Sequence, residues 1–305
     1  MSQIKLDIYD EKFLNIFDPN EQIEVIESGF DFIEGPVWHP KEEHLTFSDI
    51  PASKIYRWSS KKGLTVLVDP TNKANGNYYD LEGRLVTCEH STSLVSRRNV
   101  DGTNREVLVS KYNGKELNCP NDIVVKSDGS IYFTDPQFAR TGPNAAKVGI
   151  PREKELDFQG VYRFDPKSGE LTLLVSDFEN PNGLCFSLDE RLLYINDTPR
   201  MHIRVFDVLD DGTIANGRVW AETTGEEPGR PDGMKVDSLG NVYCTGPGGV
   251  HVFDKDANCL GVLKTPEKTA NFTWGGSDFC SLFLASGTTL YRTQVKIPGM
   301  KHKIM

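Results

Sequence analysis

At 305 residues, 38% of them hydrophobic and 26% charged, the chain is long enough for one large domain or two ordinary ones. It has no run of about 18 apolar residues that could span a membrane as a helix. A formal net charge of −10 with no Lys/Arg-rich block argues against a nucleic-acid partner, whose phosphates require a basic face, and is compatible with holding a hard cation. The opening MSQIKLDIYDEKFLNI lacks the basic and continuous apolar segments of a secretory signal, so a soluble, cytoplasmic protein is expected. Cys88, Cys119, Cys185, Cys244, Cys259 and Cys280 are scattered with no CxxC pair, and several sit in apolar runs. Buried thiols are expected in place of disulfides or a zinc site.

In chain order, residues 1–21 carry little pattern and read as an N-terminal extension, and Ile23 to Ser28 reads as a strand. Glu34-Gly35-Pro36-Val37-Trp38 opens a unit of four short strands, continued by His44 to Asp49, Lys54 to Ser59 and Leu64 to Val68. His39 and His44 flank a charged turn and look exposed. A second unit begins near Asn75-Gly76 and passes through Arg84 to His90, Leu94 to Arg97 and Glu106 to Val109. The third, LNCPNDIVVKSDGSIYFTDP from Leu117 to Pro136, ends with strands at Gly160 to Phe164 and Leu171 to Val175. Residues 137–159, rich in Gly, Pro and charge, form an insertion too long for a hairpin loop and are expected to act as a lid. The fourth unit starts at Pro181-Asn182-Gly183 and the fifth at Pro231-Asp232-Gly233. The sixth is placed near Trp274-Gly275-Gly276 and runs out of chain before a fourth strand.

Four strands recurring at about 40 to 50 residues are the signature of a propeller blade, and six blades fit the length. The spacing predicts an all-β, six-bladed β-propeller as a single domain over residues 1–305, with four antiparallel strands per blade. The spare strand at Ile23 to Ser28 and the strand missing from the last unit explain each other: an N-terminal strand completes the final blade and closes the ring. No periodic run is long enough to require a substantial helix.

In such a ring the turns that lead into the inner strands converge on the central channel. Four of them carry oxygen donors: Glu34, Asn121, Asn182 and Asp232. Any one Pro-Asn-Gly or Pro-Asp-Gly turn is explained by backbone geometry alone; it is their occurrence in phase, with glutamate in the first copy, that points to chemistry. Two carboxylates and two amides without His or Cys suit Ca²⁺ or Mg²⁺ better than zinc. Asp101, Asp128 and Asp211 precede glycines in outer hairpins and carry no chemistry. Asp49, Asp135 and Asp197 end second strands, where tying neighbouring loops is the expected role. Glu89 and His90 read equally as a channel-facing polar pair or as structural hydrogen-bonding groups. Tyr78, Phe272 and Trp274 are expected near the channel mouth. There is no GxSxG elbow, dinucleotide fingerprint or phosphate loop.

Taken as an ordered set, Glu34-Gly35-Pro36-Val37-Trp38, Cys88-Glu89-His90, Pro120-Asn121-Asp122 with Ser130 to Pro136, Pro181-Asn182-Gly183-Leu184 and Pro231-Asp232-Gly233-Met234 resemble the senescence marker protein/gluconolactonase family of metal-dependent propeller lactonases. The resemblance covers nearly the whole chain after about residue 22. It implies a divalent cation in the channel held by Glu34, Asn182, Asp232 and Asn121, with Asp232 as catalytic base or water-orienting group. Calcium, zinc, magnesium, manganese and iron all occur in the family, and the oxygen donors here favour calcium. It further implies a small lactone as substrate, expected to be sugar-derived, with Asn121 touching metal and substrate; Asn118, Glu89, His90 and Trp274 are added as candidate substrate contacts from their places in the chain. Where many relatives carry arginine and serine before the third turn, this chain has Glu116 and Cys119, which leaves Asn118 as the polar candidate there. The alternatives are a diisopropylfluorophosphatase-like phosphotriesterase and a non-catalytic calcium-binding or interaction propeller.

Overall fold

Short strands punctuated by Asp-Gly and Asn-Gly turns pair with their chain neighbours into small antiparallel sheets, each with two apolar faces that only another sheet can cover. In the computed structural model, which describes residues 2–301 and 304, six such sheets stand around a central axis. Blade 1 comprises Ile33–His39, His44–Asp49, Lys54–Ser59 and Gly63–Val68, from the axis outward. Blade 2 comprises Ala74–Tyr79, Leu85–Glu89, Leu94–Arg98 and Glu106–Val109. Blade 3 has a short inner strand, Ile123–Val125, followed by Ile131–Asp135, Gly160–Asp165 and Glu170–Val175. Blade 4 comprises Pro181–Phe186, Leu192–Asp197, His202–Val208 and Ile214–Glu222.

The last two blades recruit the beginning of the chain. Blade 5, built of Met234–Val236, Val242–Gly246, Gly249–Phe253 and Cys259–Lys264, gains an outer strand, Lys5–Ile8. Blade 6 takes Thr269–Gly275, Ser281–Ser286 and Thr289–Gln294 from the end of the chain and Gln22–Ser28 from its start, with Val25 opposite Tyr291. The expected closure of the ring by an N-terminal strand is therefore present. Residues ahead of it are more ordered than their pattern implied. Ser2–Gln3 pairs with Gln22–Ser28, and a 3-10 turn at Glu11–Asn15 buries Phe13, with Ile16 and Phe17 following into the core.

Core side chains fill the seams between blades. Trp38 of blade 1 stacks on Phe283 of blade 6 with centroids 5.8 Å apart, and Tyr132 of blade 3 meets Phe186 of blade 4 edge-on at 4.9 Å. His39 and His44 are buried, contrary to the expectation of exposure. Their rings stack at 5.1 Å, and the His44 ring nitrogen shares a 2.9 Å hydrogen bond with the Tyr79 hydroxyl of the next blade. Cys88, Cys119, Cys185 and Cys244 are buried free thiols, and Cys259 and Cys280 are partly buried ones. Among the described residues no helix is long and apolar enough to cross a membrane, and the one α-helix, Ala145–Val148, lies within the 137–159 insertion.

Candidate active site

The first residues of the inner strands are crowded together by a contact that repeats around the ring. A polar side chain on the second strand of one blade donates to the carbonyl of the turn residue in the next. Ser48 donates to Asn75 at 2.8 Å, Thr134 to Asn182 at 2.8 Å, Asn196 to Asp232 at 2.6 Å and Thr245 to Ala270 at 3.5 Å. In four of the six blades the residue after the turn residue is glycine, and the approach there leaves no room for a side chain. A Cβ on Gly183 would overlap the Asp232 carbonyl, and one on Gly35, whose φ is +56°, would overlap that of Asn75. The equivalent positions are thus Glu34, Asn75, Asn121, Asn182, Asp232 and Ala270. In blade 6 the turn is Ala270-Asn271, five residues ahead of the Gly275 marker.

Glu34, Asn121, Asn182 and Asp232 line one cavity of about 550 Å³, together with Asn75 and His90. The insertion contributes Gln137, Phe138, Thr141, Asn144 and Val148 to its wall. The insertion is anchored by Arg140, whose buried guanidinium donates to the carbonyls of Leu117 and Asn118 and lies 2.7 Å from the Glu116 carboxylate. Arg152 grips the same carboxylate at 2.7 Å. His90 reaches the insertion through the Val148 carbonyl at 2.9 Å, and burial lowers its pKa to about 4, so the ring is neutral at pH 7.

Inside the cavity, Glu34 accepts from the Gly35 amide at 2.6 Å and from Asn271 Nδ2 at 3.0 Å. Amides run in a chain: Asn75 donates to Asn121, Asn121 to Asn182 at 3.1 Å, and Asn182 to the Thr198 hydroxyl at 3.1 Å. Burial, then repulsion from Asp232 and from Asp122, pushes the Glu34 carboxyl well above the ordinary carboxylate range. Asp232 is raised as well, chiefly by burial, with Lys268 pulling the other way. Asp122 occupies the glycine position of blade 3; burial raises it too, and its Oδ2 has no hydrogen-bond partner.

Three of the candidate substrate contacts lie elsewhere. Glu89 is fully enclosed, held by Arg98, Arg105, Ser96, Thr92 and Asn72, and occupies in blade 2 the strand-end position of Asp49, Asp135 and Asp197. Those aspartates accept backbone amides of the preceding loops, at 3.0 Å from Asp31, 2.8 Å from Asn118 and 2.8 Å from Glu179. Asn118 is buried, its side-chain amide donating to the carbonyls of Asp135 and Phe158. Trp274 sits towards the opposite end of the channel, edge-on to Tyr243 at 4.8 Å, and lines with Tyr78 and Met300 a small cavity of about 50 Å³. Phe272 packs against Trp274 in the core.

The donor set fits a hard divalent cation. Glu34 is buried and Asp232 half-buried, and neither carboxylate has a Lys, Arg or His at ion-pair distance among the described residues, an arrangement that is costly unless another positive charge is present. No three His, Cys, Asp or Glu side chains of the described residues gather to hold a metal. A cation bound here would draw on the amide oxygens of Asn121 and Asn182 as well, which turning the amide chain over allows.

A model of the SMP-30/Gluconolactonase/LRE-like region matches residues 32–288. The chain belongs to this family. Among members of the SMP-30/gluconolactonase/LRE-like family, a gluconolactonase of Zymomonas mobilis subsp. mobilis is 30% identical over 306 residues, covering 93% of this chain and 84% of that protein. The structure of a gluconolactonase from Xanthomonas campestris superposes with a TM-score of 0.88 at 32% identity, covering 96% of each chain. Regucalcin from Agrobacterium tumefaciens, described as a calcium-binding protein, superposes with a TM-score of 0.76 at 18% identity over 93% of this chain and 97% of that one, and so shares the fold. In this family member two further site residues lie outside the sequence-derived set: Asn75, although Asn75-Gly76 carries the same signal as Glu34-Gly35, and Asn271, whose turn has neither proline nor glycine. Arg230 and Lys268, also on the cavity wall, gave no motif signal at all.

Proposed function

We propose that the chain is a lactonase that opens a sugar-derived lactone to its hydroxy acid in the cavity over Glu34, Asn121, Asn182 and Asp232, with a divalent cation, calcium, as cofactor. The observation that carries this is the convergence of those four oxygen donors from four blades on one cavity, two of them carboxylates without an ion-pair partner, Glu34 buried and Asp232 half-buried. The likeness to the Zymomonas and Xanthomonas gluconolactonases supports the lactone as substrate. The four side chains would hold the cation, which when bound supplies Lewis-acid polarisation of the carbonyl and stabilisation of the developing oxyanion. Asp232 orients the attacking water or takes its proton. Asn121 and Asn182 fix the geometry of the carboxylates and of the ring. The insertion covers the cavity and limits the access of bulk water.

Metal analysis of the purified protein, followed by rates on a panel of lactones with and without chelator, tests this reading. A bound divalent cation is expected, with turnover lost to chelator and restored by calcium. Turnover that survives complete removal of the cation would overturn the cofactor assignment, and a loaded protein that opens no lactone would overturn the reaction.

A further inference from the structure

The cavity wall carries two positive charges that no acidic side chain pairs with. Arg230 lies two residues before Asp232 on the way into blade 5, Lys268 immediately precedes the inner strand of blade 6, and both line the cavity. Arg230 is exceptional within the chain. Of the described residues, every other arginine guanidinium makes a hydrogen bond or ion pair; the two belonging to the insertion, Arg140 and Arg152, are both committed to Glu116. Lys268 likewise makes no ion pair or side-chain hydrogen bond, although its charge is felt at Asp232. Both side chains are exposed to solvent at the cavity wall, so neither is spent on holding the fold together.

The charge balance of the cavity then favours a particular ligand. Glu34 and Asp232 contribute the negative charge and His90 is neutral, so Arg230 and Lys268 offset the two carboxylates only while nothing else does. With the carboxylates engaged by a divalent cation, both basic side chains are left facing the cavity, and their field attracts anions. The volume, about 550 Å³, accommodates a six-carbon lactone bearing a charged substituent.

Resting on the lactonase reading, we infer that the substrate is an anionic lactone, whose carboxylate or phosphate substituent is bound by Arg230 and Lys268 while the ring carbonyl lies over Asp232. Water adds to the carbonyl carbon, the ring C–O bond breaks, and the departing oxygen takes up a proton, so the product bears one more carboxylate than the substrate. An arginine suits this task because its planar fork binds either oxyanion through two parallel hydrogen bonds.

The test compares kcat/KM at low ionic strength for a neutral lactone (gluconolactone), a carboxylate-bearing one (glucarolactone) and a phosphate-bearing one (6-phosphogluconolactone), in wild type, Arg230→Gln, Lys268→Gln and the double variant. Wild type is expected to prefer one of the anionic lactones at least tenfold, and the preferred one identifies the substituent. The ratio of anionic to neutral kcat/KM is expected to fall at least tenfold in the double variant and to shrink in 0.5 M salt. Equal or better use of the neutral lactone, or a ratio unchanged in the double variant, overturns the inference. Calorimetry with calcium-loaded protein and sorbitol, glucuronate or sorbitol 6-phosphate provides a readout independent of turnover. A charged ligand is expected to bind at least tenfold more tightly than sorbitol and to lose that advantage in the double variant; equal affinities overturn the inference. If no lactone is opened, the lactonase reading fails on its own and the calorimetry still decides the charge preference. Should the double variant not fold, Arg230→Lys against Arg230→Gln gives the same comparison, the first keeping the anion preference and the second losing it.

Discussion

Glu89→Ala separates a residue that builds the blade from one that serves the cavity. The Glu89 carboxylate is fully enclosed and accepts from Ser96 at 2.6 Å, Thr92 at 2.9 Å, Asn72 at 2.8 Å, Arg105 at 2.8 Å through two nitrogens, and Arg98 at 3.3 Å. Its removal strands the Arg98 charge, whose side chain is only 6% exposed, at a cost of about 3–5 kcal/mol. The unpaired, buried Ser96 hydroxyl adds roughly 1 kcal/mol, whereas Arg105, 30% exposed, regains water and adds little. A total of about 4–6 kcal/mol corresponds to a melting temperature lowered by roughly 8 °C or more. Thermal melts followed by circular dichroism measure this, and kcat/KM at 25 °C on the surviving folded protein is expected to stay close to wild type. An unchanged melting temperature with a large loss of kcat/KM would refute the reasoning and return Glu89 to the substrate site. The effect also carries a pH signature. Burial pushes the Glu89 carboxyl up, but hydrogen bonds from Arg105, Ser96 and Asn72 more than reverse this and leave it below the ordinary range. A carboxyl depressed in the folded state contributes stability above its unfolded pKa of about 4.3 and loses it as pH falls through the folded value. The gap between wild type and Glu89→Gln is therefore expected to narrow below about pH 4.

Three further outcomes follow from the same contacts. Asp232→Asn removes the group that orients or deprotonates water, and kcat is expected to fall by about 10²–10⁴-fold with the melting temperature largely retained; full activity with the cation still bound would sink this role. Arg140→Met deletes charge-assisted hydrogen bonds to Leu117, Asn118 and Glu116, each contributing about 1.5–3 kcal/mol, so limited proteolysis within residues 137–159 is expected to accelerate and KM to rise. Gly183→Ala places a methyl group against the Asp232 carbonyl, where no flexible side chain can yield. A loss of about 1–3 kcal/mol and weaker cation binding are expected, and calorimetric titration with calcium checks the second.

Much of this was readable from the chain because the turns that enter the inner strands repeat a chemical pattern. Proline followed by Asn or Asp marks three of them, which placed Asn121, Asn182 and Asp232 in phase, and Glu34 followed from its glycine. Blade 6 offers no such marker. Its turn, Ala270-Asn271, has neither proline nor a glycine in the shared position, so the Trp274-Gly275-Gly276 run stands out in its place, and that displacement along the strand is why Trp274 lies at the other end of the channel and not at the cavity. Glu89 could have been assigned from its match to Asp49, Asp135 and Asp197 at the ends of second strands, but glutamate in place of aspartate hid the equivalence. The roles of Arg140 and Arg230 depend on which carbonyls and carboxylates surround them, and this is fixed only by packing.

Placing Gln22–Ser28 against Thr289–Gln294 also sets the timing of folding. Val25 is synthesised about 266 residues before its partner Tyr291, and Lys5–Ile8 waits in the same way for Cys259–Lys264. Blades 1 to 4 complete themselves from local hairpins, while the seam between the last blade and the first stays open until the ends of the chain meet. The entropy of that closure is borne by a single late step, although it grows only slowly with the length of chain enclosed. During translation the apolar edge of blade 1, including Trp38, waits longest for its cover, Phe283 of blade 6, and it marks the part of the molecule on which a chaperone or an aggregate would act first.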